Sequence, residues 1–117
     1  MDIEKVRKYC LKKEEVTEGF PFGGDVLVFK VINKMFCLVN LTPPYSLNLK
    51  CDPELAAELR EKYTAVTPGY HMNKSHWNSV QLDGTVQDKE ILKWIDHSYD
   101  LIVAGIPLKK RPPKKNH

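Results

Sequence analysis

The chain has 117 residues with 42% hydrophobic and 28% charged side chains, which gives one domain with one modest core and argues against disorder. No apolar run approaches the roughly 20 residues of a membrane-spanning helix, and the charged opening MDIEKVRKYCLKKEE lacks the apolar region of a secretory signal, so a cytoplasmic protein is expected. The net charge of +3 is unevenly placed: KKRPPKKNH at the end carries five cations, which leaves the body at about −2.

The first element reads as a helix. Asp2 is a good N-cap, and Ile3, Val6, Tyr9 and Cys10 share one face at helical spacing. The helix is expected to stop by Glu15. Thr17 to Gly24, TEGFPFGG, reads as a loop in which Phe20 and Phe22 plug one end of the core; a ligand-facing lip is the alternative. Gly23-Gly24 precedes a strand and offers no helix N-terminus, so it is not a phosphate loop.

Two strands follow, VLVFKVI and MFCLVNL. Asn33-Lys34 separates them, and Asn33 tolerates the positive φ that a tight hairpin turn needs. YSLNLKC reads as a third strand, with Tyr45, Leu47 and Leu49 on a dry face and Ser46, Asn48 and Lys50 on a wet one. Asp52-Pro53 starts a second helix with an apolar stripe of Leu55, Ala56, Leu59 and Tyr63. Tyr63 to Val66 begins the next strand, which Pro68-Gly69 interrupts. Another covers Trp77 to Leu82. The last helix has Asp88 as cap or first-turn acid, a core face of Ile91, Leu92, Ile95, Tyr99, Ile102 and Val103, and a stop at Gly105 and Pro107. The order α-β-β-β-α-β-β-α predicts an α+β fold of two layers, helices on an antiparallel sheet. Residues 1–108 make the domain, and 109–117 make a basic tail whose bland reading is a solvated, frayed terminus.

Catalytic and metal signatures are missing. Cys10, Cys37 and Cys51 form no C-x-x-C pair and are expected to be reduced and structural. His71, His76 and His97 come with no cysteine partner beyond Cys51, so no metal and no cofactor are expected. Ser75 and His76 are adjacent in an extended segment and point apart, which is the wrong geometry for a base and its nucleophile. The expectation is a non-enzyme. The strongest polar and aromatic cluster is Asn73, Lys74, His76, Trp77 and Asn78. Lys neutralises phosphate, Asn bonds base edges or phosphate, and Trp stacks or wedges. The bland alternative makes Asn73 and Lys74 loop-tip residues and Trp77 a core or rim residue.

The segments HMNKSHWNSVQLDG and EILKWIDHSYDLIVAGIP resemble the C-terminal half of the MmcQ/YjbR-like family. KYCLKKEEVTEGFPFGGDVLVFKV and LNLKCDPELAAELRE resemble its N-terminal half. The resemblance covers about residues 1–110. It implies a two-layer fold similar to secretion chaperones and frataxin-like proteins, and a proposed double-wing role in which β-hairpin loops grip DNA. One wing would be the Val31–Met35 turn and the other would lie at Asn73–Trp77. The expected function is binding of double-stranded DNA, through Lys34, Asn73, Lys74, His76, Trp77 and Asn78 with Lys109, Lys110 and Arg111 behind them; Lys30 and Lys50 are weaker candidates. The alternative is a protein- or peptide-binding module or homodimer, using a sheet edge or an apolar strip near Phe20, Phe22 and Trp77.

Overall fold

A computed structural model describes residues 1–69 and 72–112. In chain order they form α1 (Ile3–Leu11), β1 (Val16–Gly19), β2 (Val26–Val31), β3 (Lys34–Asn40), β4 (Ser46–Lys50), α2 (Pro53–Lys62), β5 (Val66–Pro68), β6 (Trp77–Gln81) and α3 (Asp88–Ala104), closed by a 3-10 turn at Leu108–Lys110. The strands make one antiparallel sheet in the order β1-β2-β3-β4-β6-β5. The fold is α+β, as the pattern predicts, with one strand more than expected.

That extra strand is β1, inside the segment expected to be a loop. Its register, Val16 against Val31 through Gly19 against Val28, makes it an edge strand. The edge position explains the polar sequence VTEG: one side is never paired, and Glu18 reaches across to Arg7 of α1 through two hydrogen bonds of 2.8 Å. The Arg7 guanidinium holds the Glu18 carboxyl below its usual value.

The helices start where local chemistry starts them. The Asp2 carboxylate accepts the Lys5 amide at 2.8 Å, and Asp52 accepts that of Leu55 at 3.2 Å with Pro53 at the first helical position. α3 is capped at Gln87 without a side-chain bond, so Asp88 falls in the first turn, where its carboxylate meets the Met1 ammonium at 2.9 Å.

All three helices pack on one face. Val6 and Cys10 of α1, Ala56 and Leu59 of α2, and Ile91, Trp94 and Ile95 of α3 meet Leu27, Phe29, Val31, Val39, Leu47, Leu49, Val66 and Val80 of the sheet. A bulge shifts the β2–β3 register between Phe29 and Lys30, and neighbours Phe36 and Cys37 both end in this core. The opposite face has no helix over it. Val28, Leu38 and Trp77 cluster there with Val26, Met35 and Met72 and largely cover one another.

The β2–β3 turn is Ile32-Asn33, one residue earlier than expected. Both residues have positive φ, 46° and 64°, the type I′ geometry whose twist matches a two-residue hairpin. Asn33 suits it; Ile32, β-branched, sits there under strain. No helix among the described residues is long and apolar enough to cross a membrane.

Candidate nucleic-acid interface

Antiparallel pairing decides which loops share an end of the sheet. β2 runs toward Ile32-Asn33, and β4 runs alongside it to Lys50. β6 starts beside Lys50 at Trp77, so the loop residues 72–76 that precede it lie at that same end. The Cys51 amide donates to the His76 carbonyl at 2.8 Å and ties the loop to β4. The two expected wings are therefore neighbours across one sheet end. Three strand spacings separate them, about 14 Å at 4.7–4.9 Å per strand. Segments 30–35, 48–50 and 72–77 supply Lys30, Lys34, Lys50 and Lys74 and no carboxylate. α3 passes this end at Ser98, whose hydroxyl bridges β3 and β4, and continues to Ala104. The 109–117 segment follows from there.

The individual candidates divide sharply. Lys34, Asn73, Lys74 and His76 are exposed. Asn73 builds its own loop: Oδ1 accepts the Ser75 amide at 2.9 Å, and its carbonyl accepts the amides of His76 and Trp77. Lys109 and Lys110 are exposed on the 3-10 turn. Lys114, Lys115 and His71 lie outside the described residues.

Three candidates are corrected. Trp77, 9% exposed, packs against Val28 and Leu38 on the uncovered face and presents no ring for stacking. Period-two alternation then turns Asn78 to the helix side, where it is 2% exposed. Its Oδ1 accepts Arg60 Nη1 at 3.1 Å and its Nδ2 donates to the Ala56 carbonyl at 3.4 Å, so it holds α2 on the sheet. Arg111 donates Nε to the Ile106 carbonyl at 2.7 Å and Nη2 to that of Ala104 at 2.9 Å, closing the C-terminal end of α3. The expected core plug of Phe20 and Phe22 is also overturned, since both rings are exposed.

Arg60 was missed. Its Nη1 also donates to the Lys74 carbonyl at 3.0 Å, so α2 holds the loop expected to be the second wing. Only a basic residue in the last turn of a helix marks it in the sequence.

One convergence resembles a nucleophile site. Cys51, Asn78 and His97 line a gap of about 10 Å³ between α2, α3 and the sheet, room for roughly one water. Its groups are set against thiolate chemistry. Burial, then the neighbouring Asp52 carboxylate, push the Cys51 thiol up to about 11. His97 Nε2 accepts the Asp52 amide at 3.1 Å and is occupied in holding the start of α2. Cys10 and Cys37 are fully buried, and the hydrogen bond with Cys10, then burial, holds the Cys37 thiol well above its usual value. Among the described residues no group of three His, Cys, Asp or Glu side chains is arranged to hold a metal ion.

Comparison with known proteins places this architecture. A family model described as YjbR matches residues 11–101. The Escherichia coli K12 protein named "Uncharacterized protein YjbR" is 33% identical over 112 residues, covering 95% of each chain. "Uncharacterized protein YyaQ" of Bacillus subtilis is 46% identical over 55 residues, 47% of this chain and 46% of that one. The crystal structure of a Deinococcus radiodurans protein of domain DUF419 superimposes with a TM-score of 0.86 at 36% identity, covering 92% of this chain and 83% of that one. A solution structure from Pseudomonas syringae gives 0.73 at 28% identity, over 100% of this chain and 98% of that one. The solved structures share this fold over nearly the whole chain, and the chain belongs to the YjbR family.

Proposed function

We propose that the chain is a non-enzymatic, cytoplasmic protein that binds double-stranded DNA through the lysine-bearing end of its sheet. The observation that carries this reading is the pair of wings, set about 14 Å apart on one sheet end with Lys34 and Lys74 exposed and no carboxylate in either. That spacing is close to the roughly 12 Å width of the major groove, so the two lysines reach phosphates on opposite sides of one groove. Lys50 on β4 stands between the wings, Lys30 on β2 lies beside the first, and Lys109 and Lys110 add charge from the tail. Their contacts are with phosphate, which supplies affinity without sequence choice. Asn33 and His76, both exposed, are wing side chains suited to bonding a base edge or a phosphate as well. Trp77, Asn78 and Arg111 shape the surface from behind it. Three unpaired cysteines suit a reducing compartment.

Fluorescence anisotropy with a labelled duplex, at about 50 and 200 mM salt, tests it. The expected result is saturable binding that weakens with salt, with a log–log slope of roughly −0.9 for each phosphate neutralised. Absence of binding at the lower salt would overturn the reading.

A further inference from the structure

The end of the sheet opposite the wings has a different chemistry. β1, β3 and β6 run the same way, so the loops 20–25, 41–45 and 82–87 that follow them gather there. Backbone bonds join them into one rim: the Leu41 amide donates to the Asp25 carbonyl at 2.8 Å, and the Leu82 amide to that of Tyr45 at 2.9 Å. Phe22, Phe20 and Tyr45 stand on this rim 63%, 53% and 42% exposed. Pro21, Pro43 and Pro44 stiffen the loops that carry them. The loops hold two carboxylates, Asp25 and Asp83, and no Lys or Arg. The Asp25 carboxylate has no partner among the described residues, and Asp83 accepts both the amide and the hydroxyl of Thr85, which keeps it charged.

Exposed rings on rigid loops are a costly surface for a monomer to maintain without use. Aromatic rings on loops that carry carboxylates and no cation suit one kind of occupant: an extended, proline-bearing segment rich in Lys or Arg. Its prolines lie flat on the rings, as polyproline segments do in aromatic-lined grooves. Its cations stack on the ring faces and meet the carboxylates. We propose that this rim docks a basic, proline-bearing peptide segment of a partner protein. The site is independent of the DNA-binding end, because the strands separate the two by their full length.

The chain's own KKRPPKKNH segment has that chemistry and serves as a probe. Labelled at its N-terminus and titrated with the full chain, it is expected to bind saturably, and more weakly as salt rises. Phe22→Ala and Asp25→Asn are each expected to weaken it about three- to fivefold, while Lys34→Gln leaves it unchanged. Phe22 and Asp25 are exposed, so neither change threatens the fold. No binding, or binding insensitive to both rim variants, would overturn the proposal. So would equal binding of KKRGGKKNH, which keeps the charge and loses the prolines. Self-association abolished by Phe22→Ala without any peptide binding would assign the rim to a second copy instead. Duplex binding by the same variants reports on the wings alone, so the two readings fail separately.

Discussion

Ser98 does the work of a residue many times its apparent weight. It is fully buried on α3, donates its hydroxyl to the Phe36 carbonyl and accepts the Lys50 amide at 2.9 Å. These are the backbone groups left over where the β3–β4 ladder ends at Cys37 and Leu49, beside the bulge. Ser98→Ala strands a buried acceptor and a half-buried donor, and is expected to lower unfolding free energy by about 2–3 kcal/mol, read as an earlier urea midpoint at unchanged slope. A second cluster works through charge. Asp96 accepts the Tyr9 hydroxyl on both oxygens at 2.8 Å and pairs with Lys13, whose ammonium lies 5.1 Å from the Tyr9 ring centre and 5.0 Å from that of Tyr99. Burial, then the Asp96 bond, push the Tyr9 hydroxyl up to about 12 from 10. A folded value above the unfolded one favours the protonated form. The stability it contributes is whole below pH 10 and is lost as pH rises from 10 through 12. Absorbance titration of the phenolates should therefore show a late alkaline phase that Tyr9→Phe removes, and an early one in its place would refute the assignment.

Among the elements, those with strong local signals were readable and those defined by partners were not. α1, α2 and α3 declared themselves through Asp2, Asp52-Pro53 and helical spacing, and the β2–β3 hairpin through Asn33. β1 did not, because VTEG is four residues long, shows no alternation and runs into Glu18-Gly19; its pairing with β2 and the Arg7–Glu18 bridge make it a strand. Trp77 and Asn78 were misread for a related reason. The sequence starts a strand at Trp77, as β6 does, but alternation alone does not say what covers each face: Trp77 packs against Val28 and Leu38, and Asn78 lies under α2. Ser98 and Arg60 were invisible, since their partners lie far off in sequence: Phe36 and Lys50 for the first, Lys74 and Asn78 for the second. Arg60 gives the second wing its anchor in α2. With Arg60→Gln the carbonyl of Lys74 loses its donor, so amides of 73–77 should exchange faster while those of β2 and β3 keep their protection. Unchanged exchange in that loop would show that Asn73 and the Cys51–His76 bond hold it unaided.

At the scale of the molecule the net charge says little, and its arrangement says more. The loops at the two sheet ends differ in sign: segments 30–35, 48–50 and 72–77 hold four lysines and no carboxylate, with Glu14 and Glu15 to the side where β1 begins opposite Val31, and loops 20–25, 41–45 and 82–87 hold two aspartates and no cation. A chain whose body totals about −2 can thus still present a basic end, and a polyanion approaching it is turned toward that end by the field of the whole protein. This asymmetry makes a directional prediction. Lys34→Gln with Lys74→Gln removes one phosphate contact per wing, so duplex affinity should fall and the salt slope should flatten by about 1.8. Asp25→Asn with Asp83→Asn changes the net charge by the same two units in the opposite sense, at the far end of the strands. At 50 mM salt the Debye length is between the roughly 10 Å of 0.1 M and the 30 Å of 0.01 M, so much of that change is screened at the wings. Affinity should rise slightly and the slope should stay where it was, because no phosphate contact is gained. If instead both pairs of substitutions moved affinity equally, in opposite directions and with no change of slope, binding would follow total charge rather than a sited contact. The wings would then be ordinary hairpin turns.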